Sequence, residues 1–201
     1  DPVHIYELMA SGLVKSYTTA GVATPGPTVV PPAGQTWTDM AVDPTTGTVY
    51  ATAASGDCSP TSRSSINLTT GVRTPIGNVT NGGCTVALAA DNGGNLFGLN
   101  IVGDNLIAIN KTTGAGTVVG VLGFDANFGQ SMHCDPGTGT CYAFAFNNTA
   151  FRPELRSVNT STGATTLVGV IGQTSPGGTL QASGAVIGTF GICQVNADCN
   201  D

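Results

Sequence analysis

Short bursts of alternating apolar and polar residues run along this chain, each ending in a cluster of Asp, Asn, Gly and Thr. Alternation with a period of two marks a half-buried strand, and the clusters mark turns. One arrangement recurs three times. It reads Asp39-Met-Ala-Val-Asp43-Pro-Thr-Thr-Gly47-Thr-Val-Tyr50, then Ala87-Leu-Ala-Ala-Asp91-Asn-Gly-Gly94-Asn-Leu-Phe97, then Ser131-Met-His-Cys-Asp135-Pro-Gly-Thr-Gly139-Thr-Cys-Tyr142. Each copy is an apolar strand, an Asp, a turn containing Gly, and an aromatic early in the next strand. In the first strands Met40, Val42, Leu88, Ala90, Met132 and Cys134 alternate with Ala41, Ala89 and His133. One set is expected to pack between sheets and the other to face a central channel. No helix longer than a turn is expected.

A second hairpin follows each copy. It reads Ser65-Ile-Asn67-Leu-Thr-Thr-Gly71, Ala108-Ile-Asn110-Lys-Thr-Thr-Gly114 and Ser157-Val-Asn159-Thr-Ser-Thr-Gly163, each continuing into Thr-x-x-Gly. The Asn side chain accepts from the backbone two residues on, and the Gly takes a positive φ, so the pattern is a turn with a mechanism. Asn67 to Asn110 is 43 residues and Asn110 to Asn159 is 49. Four short strands in roughly 40–50 residues make a propeller blade. These segments resemble the repeats of secreted bacterial propellers of the lactonase-like and quinoprotein-like kind. The resemblance covers residues 37–172 and implies the fold; it carries no catalytic residue.

The expected fold is all-β, one domain over residues 1–201. It is a small β-propeller of four blades, each a four-stranded antiparallel sheet. Repeats occupy 37–80, 84–123 and 130–172. The fourth blade is split between the termini. Residues 178–192, within the C-terminal region 178–201, supply two inner strands. The N-terminal strands of residues 1–20 match a second-half hairpin over 4–19, with Gly12 in its turn. Residues 21–36, with Pro25, Pro27, Pro31 and Pro32, read as a stiff connection. At about 3.1 Å per residue it is long enough to carry the N-terminal arm, led by Ile5, Tyr6 and Leu8, onto another subunit.

Composition narrows the function. Charged residues are 9% of the chain, with 6 Lys plus Arg, 12 Asp plus Glu and a net charge of −6. A nucleic-acid partner needs a basic face, so none is expected. No apolar run approaches the roughly 20 residues of a membrane span. The six cysteines include no C-x-x-C pair, and the histidines are His4 and His133. Zinc spacing is therefore absent. Disulfides Cys58–Cys84, Cys134–Cys141 and Cys193–Cys199 are expected, in an oxidising compartment.

Several residues carry two readings. Asp43, Asp91 and Asp135 share one repeat position; carboxylates beside turn carbonyls suit calcium. An Asx turn uses the same side chain, and no D-x-D-x-D-G loop is present. Asn67, Asn78, Asn110, Asn147 and Asn159 begin glycosylation sequons, three of which are the repeat's own turn. His133 can serve as a base or ligand, but no nucleophile or second ligand accompanies it. Trp37 suits a sugar-stacking platform or a core anchor. No catalytic, cofactor-binding or metal residue is assigned, and no enzyme activity is expected.

The threonine-rich, disulfide-bonded profile resembles extracellular bacterial fibre subunits. The first reading is a non-enzymatic, secreted structural subunit of a filament or surface fibre, its partners being copies of itself joined by β-strand addition. The second is an adhesin or lectin-like propeller with a glycan contact. The third is a metal-dependent hydrolase or lactonase.

Overall fold

The computed structural model describes residues 5–18, 20–58 and 60–171. Among them fifteen strands are joined by turns, without a helix. β1 (Ile5–Leu8), β2 (Leu13–Tyr17) and β3 (Ala23–Thr28) form an N-terminal sheet of three strands. The first complete blade holds β4 (Thr36–Val42), β5 (Val49–Ala54), β6 (Thr61–Ile66) and β7 (Arg73–Asn78). The second holds β8 (Thr85–Ala90), β9 (Leu96–Asn100), β10 (Asn105–Ile109) and β11 (Gly116–Val121). The third holds β12 (Ser131–Cys134), β13 (Cys141–Asn147), β14 (Arg152–Val158) and β15 (Thr165–Val170). Each is an antiparallel meander in chain order. The four sheets stand in a ring with β4, β8 and β12 innermost, a four-bladed β-propeller.

Both repeated turns are built by their polar side chain. Asp43, Asp91 and Asp135 accept from the backbone N–H two residues on at 2.8–2.9 Å. Asn67, Asn110 and Asn159 do the same at 2.9 Å. Gly71, Gly114 and Gly163 follow with φ of 76°, 81° and 79°. A Cβ at these glycines would lie 2.8 Å from the Thr28 carbonyl oxygen, 3.0 Å from that of Asn78 and 2.5 Å from that of Gly120. Each outer turn therefore seats on the outer strand of the preceding sheet, where only glycine fits.

This seating identifies the N-terminal strands. β3 carries Thr28 as β7 carries Asn78 and β11 carries Gly120, so β3 is an outer strand. The backbone agrees. Val29 donates to Gly12, Val79 to Thr61, Leu122 to Asp104 and Ile171 to Pro153. β1 and β2 are thus the second and third strands of a blade, one place inward from the hairpin expected over 4–19. The segment read as a stiff connection supplies the fourth. Pro25 and Pro27 are compatible with a strand there because an outermost strand has one side with no ladder bonds to make. The expected inner strands of residues 178–192, and Cys193–Cys199, lie outside the described residues.

Three apolar cores fill the spaces between neighbouring sheets. Val14 and Leu8 pack with Trp37, Ala51 and Ile66. Ala41 and Tyr50 pack with Leu88, Leu96 and Ile107. Ala89 and Leu99 pack with Met132, Cys134 and Ala143. The expected division of the inner strands is corrected accordingly. Met40, Leu88 and Met132 face the preceding sheet, Ala41 and Ala89 the following one, and neither set points into a channel. A blade stands edge-on to the axis, so both of its faces meet a neighbour. Ala51, Ala53, Ala87, Ala89, Ala143 and Ala145, on the first and second strands of their blades, are almost fully buried, and their small volume lets neighbouring sheets approach closely.

Candidate functional site

The axis is governed by Asp39. The β4–β5 register shifts between Trp37 and Asp39, and a bulge re-aims side chains. Oδ1 accepts from the Met40 amide at 2.9 Å. Oδ2 accepts from the Leu88 amide of β8 at 2.9 Å, the Met132 amide of β12 at 3.3 Å and Ser131 Oγ at 3.2 Å. One carboxylate therefore ties three blades together. Burial pushes its carboxyl up to about 7, against the pull of these donors toward the ionised form. Sequence reasoning did not single out Asp39. Its signal was singularity, since the same repeat position holds Ala87 and Ser131 in the other copies.

A cavity of about 620 Å³ opens where the entries to the inner strands meet the β5–β6 loop, lined by Leu8, Met9, Trp37, Val86, Ile101 and Phe128, among others. Trp37 is a core anchor there: it is 4% exposed and its Nε1 donates to the Val29 carbonyl at 2.7 Å. Phe128 and Phe151 are accessible aromatics, 44% and 57% exposed, with positive φ of 59° and 49°. Both meet Phe146 edge-on, at 5.2 and 5.3 Å between centroids. A bulky residue at positive φ persists only where its surroundings hold it. Loops of this face also expose Val30 and Val102. The opposite face presents the Asp and Asn turns, so the two faces of the ring differ in chemistry.

The outer edges also differ. β3 carries Pro25 and Pro27, and β7 carries Arg73 and Pro75, residues that discourage pairing with another chain. β11 and β15 carry neither proline nor charge. They share the pattern Thr117-Val-Val-Gly-Val121 and Thr166-Leu-Val-Gly-Val170. Val118, Val121, Leu167, Val168 and Val170 are exposed on them.

Buried charge lies between and within blades. Lys111 Nζ is 2.6 Å from Asp43 Oδ2, bridging the second blade to the first. Burial raises the Asp43 carboxyl, but bonds from Lys111 and Thr45 outweigh it and hold the group well below the usual carboxylate range. Glu154 is buried between Arg152 and Arg156, each at 2.8 Å. Burial opposes its ionisation, and the two arginines with Asn147 still lower its pKa. Arg63 is 1% exposed, with Nη2 donating to the Asn110 carbonyl at 2.6 Å, Nε and Nη1 lacking a hydrogen-bond partner, and the guanidinium 5.2 Å from the Tyr50 ring centroid. Burial pulls its guanidinium down to about 10.

Disulfide Cys58–Cys84 joins the β5–β6 loop to the entry of β8, and Cys134–Cys141 joins opposed residues of β12 and β13. Both are the expected pairings. Ile5, Tyr6 and Leu8 form β1, with Leu8 packed against the Trp37 core. His133 lies on β12 opposite Tyr142. Among the described residues no three His, Cys, Asp or Glu side chains converge as a metal site. Nor is any helix among them long and apolar enough to cross a membrane.

No family model matches the chain, and no curated protein matches it in sequence. Solved structures do. A chain of a nidogen/laminin complex aligns with TM-score 0.60 at 16% identity, over 83% of this chain and 61% of that one. An auxiliary nutrient binding protein from Bacteroides thetaiotaomicron aligns with TM-score 0.57 at 13% identity, over 86% and 40%. A catalytically inactive virginiamycin B lyase from Staphylococcus aureus aligns with TM-score 0.51 at 12% identity, over 88% and 57%. The likeness is one of fold. This chain spans 40–61% of the length of these structures.

Proposed function

We propose that the protein is a secreted, non-catalytic structural subunit that assembles with copies of itself into an extracellular filament or fibre by β-strand addition. The observation that carries this reading is the contrast among the outer edges. β3 and β7 are blocked by proline, whereas β11 and β15 are uncharged, apolar and alike. An unprotected edge is a template for another strand. Two such edges on adjacent blades give each subunit two attachment points, the least a chain of subunits needs. The low charge of the chain leaves little to oppose the approach of like subunits. The two disulfides suit an oxidising exterior.

The test places lysine on both edges, as the double variant Val121→Lys/Val168→Lys. Both positions are exposed, so folding is preserved. By negative-stain microscopy and light scattering the parent forms filaments and the variant stays monomeric. A parent that remains monomeric at high concentration, or a variant that still polymerises, overturns the reading.

A second reading, a ligand-binding propeller of the adhesin or lectin kind, draws on the cavity, which Phe128 lines, and on Phe151 on the other side of Phe146. Exposed aromatics on a rigid ring suit the apolar face of a sugar. Phe128→Ala separates the two: it abolishes glycan retention under this reading and leaves filaments intact under the first.

A further inference from the structure

Three of the five Asn-x-Ser/Thr sequons fall on the Asn turn of a complete blade, and the turn accounts for only part of their sequence. In each, the Asn Oδ1 accepts from the amides two and three residues on: Thr69 and Thr70, Thr112 and Thr113, Ser161 and Thr162. The hydroxyl three residues on also serves the turn. Thr70, Thr113 and Thr162 accept from the amides of Val72, Ala115 and Ala164 at 3.2–3.4 Å. The hydroxyl two residues on does not. Thr69, Thr112 and Ser161 enter the turn through their backbone amides, and among the described residues their hydroxyls make no hydrogen bond. We infer that Asn67, Asn110 and Asn159 are N-glycosylation sites, so that the face bearing the Asn turns carries a glycan on each of three blades.

The Asp turns of the same blades show what the fold alone requires. They follow the same course, with the amide two residues on held at 2.8–2.9 Å. At that position they carry Thr45, Gly93 and Gly137. Thr45 has a structural task, its Oγ1 donating to Asp43 Oδ1 at 2.7 Å. In the other two copies glycine suffices. A turn closed by an Asp or Asn side chain therefore needs no hydroxyl there, yet all three Asn turns keep one. The residue between is unrestricted: Leu68, Lys111 and Thr160, none of them Pro. The part of the pattern that the turn leaves unused is the part that makes a sequon.

The acceptor atoms are available. Asn67, Asn110 and Asn159 are exposed, and among the described residues their Nδ2 donates to nothing. Transfer from a lipid-pyrophosphate-linked sugar joins Nδ2 to the anomeric carbon and breaks that carbon's bond to the pyrophosphate oxygen. Lipid pyrophosphate leaves, and one Nδ2 proton passes to a base of the transferase. Oδ1 is untouched, so the turn keeps its bonds. Open space lies beside two of the sites. A hollow of about 460 Å³ is lined by Asn67, Thr48, Thr70 and Thr74, and one of about 500 Å³ by Asn110, Asn95, Thr112 and Thr117. Their hydroxyls and amides suit the hydroxyls of a first sugar. The other two sequons differ. Asn147 is buried, with Nδ2 donating to Glu154 at 3.2 Å. Asn78 lies in the β7 ladder, and the Thr80 hydroxyl already accepts from the Gly116 amide at 3.2 Å. Glycans are bulky and solubilising, and they hydrate one face of a chain that is only 9% charged. The inference goes beyond the proposed assembly and shares with it only export from the cell, since none of the three sites lies on β11 or β15.

The experiment uses the protein as isolated from the cells that make it. Peptides spanning each sequon are fragmented by electron transfer, which spares glycosidic bonds and places the sugar mass on one residue. Sugar on Asn67, Asn110 and Asn159, with Asn147 bare, is expected. Bare asparagine at all three, sugar on threonine hydroxyls alone, or sugar on Asn147 overturns the inference. Two variants made in the same cells separate the sequon from the turn. Thr69→Ala keeps the Asn67 turn and loses the glycan there completely. Thr70→Ala removes a turn acceptor and keeps the glycan. A glycan retained in the first variant or lost in the second overturns the assignment of Asn67. Failure of the filament reading looks different: a protein that stays monomeric and carries all three glycans refutes the assembly and supports the sites.

Discussion

Replacing Asp39 with Ala removes the shared acceptor of three inner strands. The Leu88 and Met132 amides and the Ser131 hydroxyl lose their partner in a site closed by β8 and β12. A buried donor left unsatisfied costs about 1–3 kcal/mol. Removing a carboxylate that burial already penalises returns part of that sum. The net expectation is a loss of about 2–4 kcal/mol, a large share of the roughly 5–15 kcal/mol typical of a domain. The assay is urea unfolding followed by the fluorescence of Trp37, the single tryptophan, and by far-ultraviolet circular dichroism. Coincident curves license the two-state reading. A change below about 0.5 kcal/mol would refute the reasoning, because it would mean that the amides find other partners. The pH arm is independent. Asp39 has a folded pKa of about 7, above its ordinary value of 3.8. The folded state therefore holds the extra proton between about pH 4 and 7, and stability from this group falls as pH rises through that window. In Asp39→Asn that slope disappears. A variant that keeps the parent's slope shows that the carboxyl is not desolvated.

Three further outcomes are expected. Arg63→Leu is stabilising by about 1–2 kcal/mol, because Arg63 stands where Leu106 stands in the second blade and carries unpartnered nitrogens; a loss in urea midpoint refutes this. Lys111→Met costs about 1–2 kcal/mol by leaving Asp43 buried with fewer donors. Since the Asp43 pKa is lowered, its contribution is present above about pH 4 and lost on acidification below it; in the variant the folded pKa moves back toward the unfolded one, so that loss is smaller and is complete at a higher pH. Ala89→Phe overfills the core between the second and third blades and lowers stability by about 1–3 kcal/mol, read as a drop in Tm.

The blades were legible in the sequence because their turns are local. Asp43, Asn67 and their repeats build a turn from residues two apart, and a spacing of 43 then 49 residues exposes the unit. The two disulfides were legible for a related reason: one closes a hairpin and the other links adjacent blades. What escaped was set by distance in the chain. Asp39 meets Leu88 and Met132 across 49 and 93 residues, and nothing in its immediate neighbours marks it. Phe128 and Phe151 are conspicuous only through backbone geometry that no local pattern encodes. β3 was obscured by its prolines, which read as a linker until the seat of Gly71 on Thr28 shows that an outer strand tolerates them.

The reach of Asp39 bears on how such a ring can evolve. Three of the four junctions use the same seat, a turn glycine on the preceding outer strand, so duplicating a repeat brings in a ready-made interface. The hub does not scale in this way. A carboxylate is short, and its Oδ2 lies within 3.3 Å of donors on two other blades. A fifth blade widens the circle of inner strands and draws Met132 out of range. In a larger ring an aspartate at this place keeps the donors of its neighbouring blade and loses the reach to a third, so the tie across three blades belongs to the four-bladed ring.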